Sequence, residues 1–159
     1  MRSESYRKKE KGFHLITDQL INQIPEINKI YIGLLHVFIL HTSASITLNE
    51  NMDSSVRDDF KSFFNRFVPE NENYFTHTYQ RSDDMPAHLK SSILGSSIII
   101  PISNGSLKLG TWQGIYLCEH REHASARNIV LTIHAVSYTH LRAHETREDR
   151  GCRRRRGKK

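Results

Sequence analysis

Residues 35–53 read LHVFILHTSASITLNENMD. The opening is apolar apart from His36, and from His41 onward the pattern alternates strictly. His41, Ser43, Ser45, Thr47 and Asn49 fall on one face; Thr42, Ala44, Ile46 and Leu48 fall on the other. Side chains alternate sides along a strand, so a period of two predicts a strand with one buried face. The polar face carries a histidine, three hydroxyls and an amide in a row, with Glu50 and Asp53 where the strand should end.

Working outward, residues 30–40 are β-branched and apolar over most of their length, which predicts a central strand buried on both faces. Before it, residues 12–16 suit a short strand. Thr17 suits a helix N-cap, with Leu20, Ile21 and Ile24 as an apolar stripe that Pro25 ends. Residues 1–11 are polar and basic, and are expected to be loose unless a sheet edge captures them. After the central stretch, Asp53 is the next cap. Val56, Phe60, Phe63, Phe64 and Phe67 recur at helical spacing, predicting a helix that Pro69 closes and whose phenylalanines enter the core. Residues 70–83 form a polar connection containing His77. A further helix is expected from an Asp83 cap through Pro86 to about Leu94, with Gly95 in the C-terminal αL position. Residues 97–102 form a strand, Asn104-Gly105 a hairpin turn, residues 107–119 one long strand and residues 127–134 the last. Runs of strands with helices grouped between them indicate a single α+β domain over residues 12–135: an antiparallel or mixed sheet sandwich with helices packed on one side.

Nine of the 23 Lys and Arg residues lie in residues 136–159 with only three acids, which accounts for the whole net charge of +6. The body is neutral, so nothing in it points to nucleic acid. The tail shows no periodicity. One reading is a disordered basic arm; the other is that its SYTHLRAHETRED string is translated adaptor or vector sequence, and it is given no functional weight. No run of eighteen apolar residues predicts a membrane span, and the charged N-terminus lacks the apolar run of a secretory signal. Cys118 and Cys152 form no ligand pair, Cys118 reading as a buried thiol. A cytoplasmic protein is the expectation.

The chemistry-bearing residues form two groups. His41, His77 and His88 come from three different elements, and Asp84 stands four residues before His88, on the same helix face. Histidine is the commonest neutral metal ligand, although no local zinc signature is present. The second group is Gly110-Thr111-Trp112-Gln113-Gly114, whose Thr111 and Gln113 share a strand face with Glu119. Two glycines inside a strand mark a bulge or a close backbone approach.

Three segments, HTSASITLNEN at 41–51, DDMPAHLKSSILG at 83–95 and LGTWQGIYLCEHR at 109–121, resemble the YjbQ-type proteins, described as secondary thiamine-phosphate synthases. The resemblance extends over residues 12–135 and includes GFHLIT at 12–17. It implies an α+β sandwich assembled as a homotrimer, with a polar pocket near a subunit contact. It implies joining of hydroxymethylpyrimidine diphosphate to a thiazole phosphate, with release of pyrophosphate. His41, His77 and His88 would hold a divalent ion, Mg²⁺ or Zn²⁺, or the diphosphate. Asp84 would orient His88, and Glu50 or Glu119 would contact the pyrimidine amine. Lys90, Arg127, Thr111, Gln113 and Asp53 would bind substrate. Two alternatives stand beside this: a metal-dependent hydrolase of a small phosphorylated metabolite, and a non-catalytic module that binds a phosphorylated ligand.

Overall fold

The computed structural model describes residues 1–136, so the expectation for the basic tail lies almost wholly outside the described residues. The alternating stretch forms β4, Ala44–Glu50, and the apolar stretch before it forms β3, Ile32–Ile39. β3 is the middle of a five-stranded sheet. It pairs on one side with β8 (Arg127–Ala135), which pairs in turn with β1 (Arg2–Tyr6). On the other side it pairs with β5 (Ser97–Ser103), followed by the short β6 (Ser106–Leu107). β4 belongs to a second sheet, of three strands, with β7 (Gln113–Glu119) between it and β2 (Gly12–Leu15). Every pairing is antiparallel. The fold class is therefore α+β, as expected.

The core lies between the sheets: Leu35, Val37 and Ile39 of β3 and Ile129 and Leu131 of β8 meet Ile46 of β4 and Ile115 and Leu117 of β7. The helices α1 (Thr17–Ile21), α2 (Ser54–Phe67) and α3 (Asp84–Leu94) lie against strands of the three-stranded sheet. Among the described residues none of them packs on the outer face of the larger sheet. The order of layers is thus sheet, core, sheet, then α2 and α3, while Leu20 of α1 enters the core.

That order corrects the expectation for residues 30–40. β3 alternates, with Ile32 and Leu34 each 44% exposed, because nothing among the described residues covers its outer face. The strand buried on both faces is β7, sandwiched between the core and the helices. The long strand expected over residues 107–119 is interrupted, since residues 108–112 turn between β6 and β7. Residues 1–11 are not loose throughout, because the free edge of β8 captures Arg2–Tyr6 as β1. The phenylalanine stripe divides. Phe64 is buried, while Phe63 and Phe67 are 58% and 59% exposed on the outer side of α2. Asp53 caps α2 through the Ser55 N–H at 2.8 Å. Ile16, not Thr17, is the cap residue of α1; the Thr17 hydroxyl accepts the Ile115 N–H at 2.9 Å instead. Asn104 and Gly105 adopt φ of 51° and 75°, the two positive values that the hairpin turn needs. Gly95 ends α3 at φ 92° and ψ 163°, positive in φ but outside αL.

Candidate metal centre

α3 begins where residues 70–83 return to the body, and its first turn carries Asp84. Four residues on, one helical turn later, His88 stands above it. His77 reaches the same point from the preceding connection. The His77 Nε2–H donates to Asp84 Oδ2 at 2.7 Å, and His88 Nε2 lies 3.5 Å from the same oxygen. One ligand atom from each of the three lies within 4.8 Å of the others. The two imidazoles are half-buried, and the Asp84 side chain is 2% exposed.

The surroundings orient His88 and Asp84. The His88 Nδ1–H donates to the Thr42 carbonyl at 2.9 Å, which leaves the Nε2 lone pair facing Asp84. Such a second hydrogen bond sets the tautomer and direction of a ligating histidine. Arg121 takes the other carboxylate oxygen, Oδ1, and leaves Oδ2 to the histidines. Arg121 Nε also lies 3.3 Å from Asp83 Oδ1. Burial would raise the Asp83 carboxyl, but the Glu122 N–H and Arg121 outweigh it and hold it below the ordinary carboxylate range. Asp83 stands at the cap position of α3 without capping it, because its side chain is spent on the 121–122 turn. In this arrangement a single proton, on His77 Nε2, sits among three potential ligand atoms. Loss of that proton would leave His77 Nε2, His88 Nε2 and Asp84 Oδ2 all able to donate to a divalent cation. Two imidazoles and one carboxylate with open positions form a donor set that suits zinc in catalytic sites and non-haem iron.

His88 also lines an open cleft of about 750 Å³ at the corner between β3 and β4, together with His41, Ser43, Ser91 and Ser96. His41, expected as a metal ligand, is not part of the cluster; Asp84 takes that place. The His41 Nε2 accepts the Asn128 N–H at 2.8 Å, and its Nδ1 lies 3.3 Å from Arg127 Nη1. Burial and the Arg127 charge lower its pKa, against a smaller opposing effect of Glu119. A guanidinium beside the ring disfavours a second cation there.

The other expected residues are dispersed. Glu119 is fully buried and locked in a two-pronged pair with Arg127, Oε1 to Nη2 at 2.6 Å and Oε2 to Nε at 2.7 Å, so it is no catalytic group. Glu50 lies at the far end of β4, about 20 Å from Ala44 at strand rise. There its carboxylate accepts the N–H groups of Met52 and Asp53 at 2.9 and 2.7 Å. Gln113 is at that end too, with its Oε1 accepting the Gly110 N–H at 2.8 Å, and the Thr111 carbonyl accepts from Asn51. Glu50, Asp53, Thr111 and Gln113 therefore shape turns and a helix cap, away from the cleft. Lys90 projects from the opposite side of α3, under α2, where Nζ donates to Asn65 Oδ1 at 3.0 Å. Burial, then Lys11, pushes its ammonium down to about 8. Sequence reasoning assigned no role to Arg121 or to the Thr42 carbonyl. Arg121 stands in the quoted LGTWQGIYLCEHR segment, whereas a backbone carbonyl leaves no trace in a sequence.

Comparison with known proteins fits the fold. The profile of UPF0047 protein YjbQ-like sequences matches residues 2–136. UPF0047 protein YjbQ of Escherichia coli O157:H7 is 52% identical over 125 residues, 79% of this chain and 90% of the relative. The chain belongs to the YjbQ family. UPF0047 protein YugU of Bacillus subtilis is 40% identical over 87 residues, 55% of this chain and 64% of that one. Among solved structures, a YjbQ/UPF0047 protein from Clostridium acetobutylicum matches with TM-score 0.72 at 34% identity, covering 84% of this chain and 99% of that one. A conserved hypothetical protein from Thermus thermophilus matches with TM-score 0.73 at 25% identity, covering 84% and 99%. The family profile reaches residue 2, so β1 belongs to the shared domain.

The expectation of thiamine-phosphate synthesis is corrected by these matches. The YjbQ relatives carry a family designation and no activity, and nothing links them to thiamine phosphate. The site agrees: the residues assigned to the two substrates lie at opposite ends of β4 and on different sides of α3. Among the described residues no helix is long and apolar enough to cross a membrane.

Proposed function

We propose that this YjbQ-family protein binds a divalent transition-metal ion on His77, Asp84 and His88, and that its activity is metal-assisted chemistry on a small polar ligand admitted through the adjoining cleft. The observation that carries this reading is the convergence of His77, Asp84 and His88 ligand atoms within 4.8 Å, with His88 oriented by the Thr42 carbonyl and Asp84 by Arg121. Three protein ligands leave positions for water or a ligand, and a bound ion there supplies Lewis acidity and an activated water. Thr42 and Arg121 hold the donors in place, and α3 forms one wall of the cleft.

The test is cobalt and zinc binding by the full chain after dialysis against a chelator. Stoichiometric binding with a cobalt absorption spectrum typical of nitrogen and oxygen ligands is expected. Asp84→Asn and His88→Ala should each weaken it at least tenfold, and His41→Gln should leave it unchanged. Binding that follows His41 and ignores Asp84 overturns the ligand set; no binding at micromolar metal overturns the reading.

We also propose that the outer face of the five-stranded sheet is a contact between copies of this chain, the homotrimer implied by the family resemblance. Its support is the apolar surface of Ile32, Leu34, Ile99 and Pro101, which no helix among the described residues covers. Apolar area of that kind on a soluble domain marks an interaction face.

A further inference from the structure

His41 stands one residue beyond the point where β3 leaves β8. The Leu40 N–H donates to the Asn128 carbonyl at 2.9 Å, and the Asn128 N–H then needs an acceptor. No carbonyl from β3 supplies it. The imidazole of His41 does, through Nε2 at 2.8 Å. The side chain thus continues the sheet's hydrogen-bonding ladder, and this has a consequence for its own protons. An Nε2 that accepts from a backbone N–H carries no hydrogen. A neutral imidazole has one proton, which must then be on Nδ1.

Nδ1–H faces Arg127 Nη1 at 3.3 Å, and every hydrogen on a guanidinium is a donor. The contact is therefore donor against donor. The rest of Arg127 is satisfied. Nε and Nη2 hold Glu119, and Nη2 also donates to Ser43 Oγ at 3.2 Å. The Arg127 side chain is 7% exposed, so its Nη1 has little water to turn to. Ser43 Oγ accepts from Arg127, which leaves its own hydrogen free to donate. His41 and Ser43 line the cleft, Arg127 Nη1 stands directly behind the His41 ring, and among the residues that line the cleft there is no carboxylate. Ser91 Oγ already donates to the Ala44 carbonyl and Ser92 Oγ to the His88 carbonyl. What the arrangement lacks is an acceptor.

We infer that the cleft takes a small ligand by an anionic oxygen, of a carboxylate or a phosphate group, held between His41 Nδ1–H and Arg127 Nη1–H with Ser43 as third donor. An oxygen there turns the donor-against-donor contact into two charge-assisted hydrogen bonds. Glu119, behind the guanidinium, neutralises Arg127 and fixes its plane, so recognition rests on direction and not on excess charge. The inference rests on the same cleft as the proposed metal centre. None of its donors is a proposed metal ligand, so the two readings fail separately.

The experiment uses the full chain after chelator dialysis. It is titrated calorimetrically with inorganic phosphate and, in a separate arm, with acetate; the ¹⁵N and ¹H signals of the His41 ring are followed in both. Binding in either arm, with a shift of the Nδ1–H signal, is expected and names the head group. His41→Glu places a carboxylate between Asn128 N–H and Arg127; it should abolish anion binding and raise the unfolding temperature. Ser43→Ala should weaken binding several-fold. The tautomer needs no variant: a wild-type His41 protonated on Nε2 overturns the inference. So does failure of both anions to bind at millimolar concentration, or binding that His41→Glu leaves unchanged. Zinc binding that persists while both anions fail refutes this inference alone and leaves the metal reading standing.

Discussion

His120 shows how burial decides the protonation of a single residue. It is 3% exposed, its Nε2 is paired with Ser45 Oγ at 2.8 Å, and burial, then Lys90, Arg127 and Lys11, pushes its pKa down to about 3. In the unfolded chain the same ring titrates near 6.5. Between those values the unfolded chain binds the proton and the folded one does not, so stability rises with pH across that window and is lost as pH falls through it. The urea midpoint of the wild type should therefore drop from pH 7 to pH 4. In His120→Gln the accompanying loss of unfolding free energy should be smaller by on the order of 2 kcal/mol. An equal drop in both proteins would show that the ring is not held neutral. His120, Glu119 and Arg121 are consecutive, yet they serve three networks: a hydroxyl behind the sheet, the buried Arg127 pair and the Asp83–Asp84 carboxylates. β7 ends at Glu119 and the chain turns there, so the next two side chains leave in different directions and meet different partners.

At the scale of elements, amphipathic spacing locates a helix but not the depth of its stripe. α2 has phenylalanines at 60, 63, 64 and 67, and all four read as core. Only part of that stripe meets the sheet: Phe64 packs on Phe13 of β2, ring centroids 5.9 Å apart, while Phe63 stacks on Phe67 at the surface. Phe64→Ala should cost about 3–5 kcal/mol, the range for an emptied aromatic core site. Phe63→Lys should stay within about 0.5 kcal/mol of wild type, as surface changes do. Thermal or urea unfolding of the two variants checks both, and similar losses in both would mean that the outer ring is covered. The strands make the same point. β3 looks more apolar than β7, yet β7 is the strand enclosed on both sides, because layer order and not composition sets how many faces are covered.

At the scale of the whole molecule, no helix among the described residues covers the outside of the five-stranded sheet. Ile99 is 61% exposed there and Leu34 44%, on neighbouring strands. Light scattering should give the wild type a mass above that of the 18.5 kDa chain, consistent with a trimer. Leu34→Glu with Ile99→Glu should lower it towards a monomer without loss of the folded signal. A monomeric wild type would overturn self-association through this face.

Several features of the protein follow from the sequence alone. Alternation at 41–50 predicts a half-buried strand, the Asp53 cap the start of α2, Asn104-Gly105 the hairpin, and the grouping of strands and helices the α+β class. These are local properties: period, cap chemistry and permitted φ depend on neighbours in the chain. His77, Asp84 and His88 are legible as chemistry-bearing residues, and Asp84 and His88 as sharing a helix face. Tertiary structure alone could show that Asp84 completes the cluster and that His41 stands apart with Arg127. It alone could show that Glu119 is consumed by a pair 8 residues on and that Glu50 and Gln113 lie at the wrong end of the strand. A side chain's role depends on which distant groups reach it. In this fold those groups come from the order of strands across two sheets, which no local pattern encodes.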